Sequence, residues 1–139
     1  MTTIDMQRHR IISTLVMQRP EEFLDVTIHL WERLARDLVI LIGEGGFQSL
    51  YSRSVHVTGR TFPWIVLNRP SGQVDFRFTG LKKSLEERDF AEACEASIAL
   101  LSFFIDILSS LIGELLTTSI LRSAWGDSAL DIAVKEQQQ

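Results

Sequence analysis

Apolar residues recur at helical spacing over most of the chain, which predicts a mainly α-helical fold. The first such segment predicts a helix from Thr3 to Gln18. Pro20 ends this helix and suits the first turn of a second one, which is predicted to continue to Ile42. A third helix is predicted from Phe47 to Thr58.

Glycines separate the second predicted helix from the third. The segment Gly43-Glu44-Gly45-Gly46 follows a helix and not a strand, and it lacks the Lys-Ser/Thr ending of a phosphate-binding loop. Glycines placed just after a helix commonly end or redirect it. We therefore interpret Gly43, Gly45 and Gly46 as a hinge.

The segment after the third helix has a strand-like pattern. Residues 74–78 alternate between apolar and polar side chains, and residues 64–67 form a short apolar run. Asn68 to Gly72 has the composition of a turn. This pattern predicts a small β-hairpin from residues 64–67 and 74–78, with an extended segment closing one end of the bundle as the alternative.

A long apolar helix is predicted from Asp89 to Arg122, after a short helix at 81–87. On a helical projection, its polar and small residues fall on one narrow stripe, because they follow one another at steps of three and four. The stripe consists of Glu92, Glu95, Ala99, Ser102, Asp106, Ser109, Gly113 and Thr117. Apolar side chains cover the remaining surface of this helix.

Three interpretations of the long helix stay open. It is the buried centre of the domain, it shares part of its apolar surface with a second copy or another protein, or it spans a membrane. For the shared interface the candidates are Ala99, Ser102, Asp106, Ser109 and Gly113. The central Asp106 and the lack of closely flanking Lys or Arg count against a membrane span at residues 96–113.

The composition is that of one globular domain. The 139 residues include 45% hydrophobic and 23% charged residues, which is ordinary for a folded protein and not for a disordered one. The prediction is therefore a single helical domain, residues 1–139, a bundle of five or six helices with a frayed tail at 135–139. The single cysteine, Cys94, excludes an internal disulfide. The first residues lack the apolar core of a secretory signal, so a cytoplasmic location is expected.

Charge is distributed unevenly. Residues 47–83 carry six basic residues and one acidic residue, whereas residues 84–139 carry three basic and ten acidic residues. The basic segment is expected either to pack against acidic helices or to bind an anion or an acidic partner. Six cations on a chain of net charge −4 make nucleic acid an improbable partner.

One group of residues has the chemistry of an anion site. Arg53, His56 and Arg60 follow one another at steps of three and four, and Trp64 is close in sequence. Two guanidinium groups and an imidazole on one helical face could hold a phosphate or a carboxylate. The structural alternative is that these residues are solvated or form salt bridges with acidic side chains.

No pattern in the sequence indicates catalysis, a metal or a cofactor. The three histidines lie on three different predicted helices, and the Glu-x-x-His pairs of di-iron bundles are absent. The sequence is therefore expected to encode a non-enzymatic protein–protein interaction module with a signalling, regulatory or scaffolding role, acting as a homodimer or with another protein. The alternative is a sensor of small anions that uses Arg53, His56, Arg60 and Trp64.

Overall fold

The computed structural model describes residues 22–65 and 78–126, together with Arg10. This part of the chain contains helices and no strands, so the mainly α-helical class is confirmed. The helices are α1 (Phe23–Thr58), α2 (Thr79–Glu86), α3 (Phe90–Ile112) and α4 (Glu114–Trp125). Apart from Arg10, which is helical, the predicted helix at 3–18 lies outside the described residues, as does the predicted tail at 135–139. The number of five or six helices is therefore not confirmed.

The described residues do not confirm the predicted β-hairpin. Trp64 and Ile65 follow α1 without forming a strand, and Phe78 lies in the turn that precedes α2. The remainder of 64–67 and 74–78 lies outside the described residues. Phe78 instead contacts α1, where its ring centroid lies 5.5 Å from that of Tyr51 and 5.7 Å from that of Trp31.

Helix α1 reverses direction at Gly43. This residue has φ 83° and ψ 165°, a backbone region that is essentially restricted to glycine. It divides α1 into a first arm, residues 23–42, and a second arm, residues 44–58. In a straight helix, the rise per residue would separate Trp31 from Tyr51 by about 30 Å. Their ring centroids are 5.3 Å apart, so the two arms pack against each other.

The same reversal separates α3 from α4, and the prediction of one continuous helix from Asp89 to Arg122 is therefore wrong. Gly113 has φ 94° and ψ 159°. Its N–H donates to Ser109 O at 2.9 Å, and its carbonyl accepts from Thr117 N–H at 3.1 Å. One residue thus closes α3 and opens α4 without leaving its backbone groups unpaired. The apolar pattern is helical on both sides of Gly113, so periodicity did not reveal the break.

The contacts place both reversals at the same end of the bundle. The rings of Phe23 and Phe90, at the starts of α1 and α3, have centroids 5.4 Å apart. The first arm of α1 and α3 therefore run parallel, and Gly43 and Gly113 end them on the same side. The indole N–H of Trp125 donates to Leu30 O at 3.0 Å, so α4 returns alongside the first arm.

An aromatic cluster forms the middle of the core. Trp31, Phe47 and Phe104 are fully buried, and the ring of Phe104 contacts both of the others. Trp31 meets Phe104 edge-on with ring centroids 5.0 Å apart, an arrangement that adds about 0.5–1.5 kcal/mol to the burial itself. These contacts join both arms of α1 to α3 and fix the parallel packing.

The two halves of the bundle repeat each other at an offset of 70 residues. The sequence Leu41-Ile42-Gly43-Glu44 recurs at residues 111–114, and both glycines have nearly the same φ and ψ. Twelve buried residues of α1 each have a buried counterpart 70 positions later in α3 or α4. The α1 positions are 23, 27, 30, 31, 34, 35, 38, 47, 50, 51, 54 and 55. The bundle is therefore built from two helical hairpins that bury the same positions.

Candidate functional site

Large apolar side chains are exposed at the end of the bundle where the chain reverses. Among the described residues, seven large apolar side chains are exposed, and five of these lie within three positions of Gly43 or Gly113. We call this surface the apolar cap; it consists of Ile40, Leu41, Leu111, Leu115 and Leu116. Ile40 is 83% exposed and Leu115 is 91% exposed, so these side chains are almost as accessible as in an unfolded chain.

The cap is exposed because the helices extend beyond the core. In the first hairpin the buried positions stop at Leu38 and resume at Phe47. In the second hairpin they stop at Leu108 and resume at Thr117. Between these limits, some apolar side chains still pack partly against the core, namely Val39, Ile42 and Ile112. The five side chains of the cap lie past the last core layer, where no other helix of the described part covers them.

Glu44 and Glu114 are exposed directly after the two reversals. Asp37, in contrast, forms an ion pair with the preceding Arg36, whose Nε lies 3.5 Å from Asp37 Oδ1. Residues 37–52 contain Asp37 and Glu44 as their only charged residues, and residues 107–121 contain only Glu114. Neither segment contains Lys, Arg or His. The cap therefore combines aliphatic side chains with carboxylates.

The two hairpins contribute differently to the cap. Leu115 and Leu116 of the second hairpin correspond to Gly45 and Gly46 of the first. A Cβ atom added at Gly45 would meet nothing within 4 Å, so the first hairpin has open space at this position. The cap therefore has a leucine-rich side and a glycine side, with Leu41 on the latter.

The predicted polar stripe lies on the outward side of α3. Glu95 and Asp106 are exposed, while Ala99, Ser102 and Ser109 are half-buried and Gly113 is exposed. The stripe reaches the cap at Gly113 and ends there, because the chain turns. Thr117, its last predicted member, is buried instead, and its hydroxyl donates to Gly113 O at 2.8 Å. The role of the stripe as an interface stays a prediction.

The predicted anion cluster is only partly brought together. Arg53 and His56 are exposed on the second arm of α1, but α1 ends at Thr58, so Arg60 lies in the following turn. Trp64 is half-buried and contacts Arg88, whose guanidinium carbon lies 5.0 Å from the ring centroid. This cation–π contact ties Trp64 to the turn between α2 and α3. Anion binding by the cluster stays a prediction.

The predicted hinge is also narrower than the glycine cluster suggests. Gly43 alone has non-helical φ and ψ, whereas Gly45 and Gly46 lie inside the second arm of α1. The change of direction therefore occurs at one residue. Motion about it stays a prediction.

An open cleft of about 390 Å³ lies at the opposite end of the bundle, between the starts of α1 and α3. It brings together residues that are distant in sequence, which is why sequence reasoning missed it. Its charged lining is mixed and consists of Glu22, Asp25, Glu86, Lys82 and Arg88. Three carboxylates and two cations leave this lining with a net charge of −1, which gives little attraction for a small anion.

The described residues contain no group of His, Cys, Asp and Glu arranged to hold a metal. Cys94 is buried in α3, and its burial raises the pKa of the thiol, which keeps it protonated and weakly nucleophilic. Tyr51 is likewise buried, and burial raises the pKa of its hydroxyl. Neither side chain lies in the cap.

Helix α3 is long and apolar enough to cross a membrane when only length and composition are considered. In the bundle, 44% of its most apolar window is buried, and its inward side chains contact α1 and α4. The central helix of a folded domain has the same length and composition. In this bundle, one side of α3 therefore forms part of the core.

Comparison with known proteins finds no matching family model, no similar curated protein and no similar solved structure. The function has to be argued from the surface of this chain. The apolar cap is the feature that the packing of the bundle leaves unexplained. Its signal in the sequence is the repeated Leu-Ile-Gly-Glu at residues 41–44 and 111–114.

Proposed function

We propose that this chain is a non-enzymatic protein–protein interaction module with a signalling, regulatory or scaffolding role, and that the apolar cap is its contact surface. The observation that supports the proposal is the concentration of five exposed aliphatic side chains at one end of the bundle. Scattered exposed leucines are common on protein surfaces, but contiguous apolar patches usually mark interaction sites.

The cap can supply a large part of a binding free energy. Transfer of one exposed Leu or Ile side chain into an interface contributes about 1.5–3 kcal/mol when burial becomes complete. Association itself costs roughly 4–15 kcal/mol, so five such side chains suffice only if the partner also contacts the surrounding surface. The end of the stripe on α3, Ser109 and Gly113, adjoins the cap and is the natural extension of the contact, whereas the beginning of the stripe lies several helical turns away.

A site-specific photo-crosslinker tests this proposal. We would replace Leu115 with a photoreactive phenylalanine analogue in the full chain, expressed in its native cells. The exposed position makes the folded bundle insensitive to the change. We expect a discrete cross-linked species on irradiation. A product of twice the chain mass identifies the predicted homodimer, and any other discrete mass identifies a different protein.

The matched control places the same analogue at Glu95, which is exposed on α3 away from the cap. We expect no discrete product from this position. Equal labelling from both positions, or no product from either one, would contradict the proposal, since the cap would then not be a preferred contact surface.

The anion-sensor alternative has a separate test. Arg53, His56 and Arg60 are exposed, and within the described part of the chain they form no ion pair. If they bind an anion, millimolar phosphate should raise the melting temperature of the wild type but not of a variant with Arg53→Ala and Arg60→Ala. An unchanged melting temperature of the wild type excludes this alternative.

A further inference from the structure

We propose that the apolar cap binds an amphipathic helix whose apolar side is flanked by lysine or arginine residues. This inference rests on the proposed function, because it names the partner of the same surface. It follows from three features of the cap: its charge, its glycine side and its two-part construction.

The charge of the cap favours a basic partner. Glu44 and Glu114 are exposed charged residues of the cap segments, and the third acid, Asp37, forms an ion pair with the neighbouring Arg36. The two cap segments therefore carry a net negative charge, and complementary charge on a partner would speed association and select against acidic partners.

The same charges disfavour the two other occupants of an apolar surface. In a symmetric contact between two copies, the same patch is used twice, so the contact would bring four carboxylates, Glu44 and Glu114 of each copy, into one interface. Like charges placed opposite each other in an interface are unfavourable. An anionic lipid surface would repel these carboxylates in the same way.

The shape of the cap suits a helix. Ile40 and Leu41 lie beside one reversal, and Leu115 and Leu116 lie beside the other. Gly45, on the first hairpin, has open space where a side chain would stand. A helix that presents apolar residues at positions i, i+3, i+4 and i+7 can contact leucines on one side while its backbone lies over the glycine side.

Two synthetic peptides serve as probes for this partner. Both are 15-residue peptides with leucine at positions i, i+3, i+4 and i+7, so that they can form an amphipathic helix. One carries four lysines beside the leucines and the other carries four glutamates, and the remaining positions are alanine. Binding to the full chain is measured by fluorescence anisotropy at physiological salt. We expect saturable binding of the lysine peptide and at least tenfold weaker binding of the glutamate peptide.

Three double variants separate the contributions. Leu111→Ser with Leu115→Ser should weaken binding of the lysine peptide at least tenfold, because these side chains are the exposed apolar surface. Glu44→Gln with Glu114→Gln should weaken it about two- to tenfold, the effect of two exposed charge pairs. The control, Glu32→Gln with Glu95→Gln, removes the same charge from exposed positions outside the cap and should leave the affinity within twofold.

The outcomes distinguish this inference from the proposed function. Equal affinity for both peptides, or equal weakening by the control, overturns the basic partner. If light scattering shows a dimer that Leu111→Ser with Leu115→Ser abolishes, the cap is an interface but its occupant is a second copy. If the leucine variant binds the lysine peptide undiminished and Leu115 gives no cross-link, both proposals fail.

Discussion

Replacement of Gly113 by alanine should destabilise the bundle through the backbone alone. A Cβ atom at this position would meet nothing within 4 Å, so the added methyl group causes no steric clash. The cost comes from φ 94° and ψ 159°, where a residue with a side chain is strained by about 1–3 kcal/mol. Gly43→Ala should have the same effect for the same reason.

Gly45 provides the matched control. Here too, a Cβ atom would meet nothing within 4 Å, but the residue lies inside the helical second arm of α1. Gly45→Ala should therefore stabilise the bundle by about 0.5–1 kcal/mol, because alanine loses less conformational freedom in a helix. The two substitutions add the same methyl group to open space and differ only in the backbone that carries it.

Urea unfolding followed by tryptophan fluorescence measures these differences. The free energy of unfolding of a single domain is about 5–15 kcal/mol. The double variant with Gly43→Ala and Gly113→Ala should therefore lose a large fraction of its stability. The Gly113→Ala variant has one alternative to a strained turn, which is to adopt helical φ and ψ at this position. Helices α3 and α4 would then join into one straight helix, and α4 would pack on another copy. Light scattering would then show a dimer with unchanged helix content.

The result that would refute this reasoning is a Gly113→Ala variant that is monomeric and at least as stable as the wild type. The chain would then not reverse at Gly113, and the second hairpin would be wrong. A Gly45→Ala variant that loses as much stability as Gly113→Ala would show that an added methyl group is harmful at either glycine. The loss at Gly113 could then not be attributed to its φ and ψ.

Two further predictions concern buried polar groups. Thr27→Val should leave stability unchanged or raise it by up to about 1 kcal/mol, because the buried Thr27 hydroxyl has no partner among the described residues. Thr117→Val should lower stability by about 1 kcal/mol, because the Thr117 hydroxyl donates to Gly113 O. Urea unfolding would contradict this if both variants changed alike. Tyr51 is the only tyrosine of the chain, and burial raises the pKa of its hydroxyl in the folded state. The protonated Tyr51 therefore contributes its full share of stability below about pH 10. At higher pH this share is lost, because the hydroxyl ionises in the unfolded state first. Above about pH 10, the unfolding free energy should fall by up to about 1.4 kcal/mol per pH unit because of Tyr51. Tyr51→Phe should remove this contribution to the pH dependence. An unchanged pH dependence in Tyr51→Phe would contradict the prediction.

Local periodicity was sufficient to predict the helices but not their directions. The end of α1 at Thr58 agrees with the prediction, because Gly59 and Pro63 interrupt the helical pattern after it. The reversal at Gly113 could not be read from the same pattern, since apolar residues continue at helical spacing on both sides. A comparison of the chain with itself at an offset of 70 residues would have identified it, because residues 41–44 and 111–114 are identical.

The candidate site depended on tertiary packing to a greater extent. Leu108 and Leu111 are equally apolar in sequence, yet Leu108 is fully buried and Leu111 is exposed. Leu108 belongs to the last layer of the core and Leu111 lies beyond that layer, a difference that only the tertiary packing determines. Similarly, proximity in sequence groups Trp64 with Arg60, whereas its cation partner in the structure is Arg88, from the turn between α2 and α3.

The repetition of the two hairpins within one chain has a consequence for stoichiometry. Two separate hairpins would assemble as a symmetric dimer, in which each substitution occurs twice and a partner meets two equivalent sites. Linked in one chain, the hairpins can differ, and Leu115 and Leu116 stand where the first hairpin has Gly45 and Gly46. A surface with unequal halves accepts a partner in one orientation, so one bundle should bind one helix.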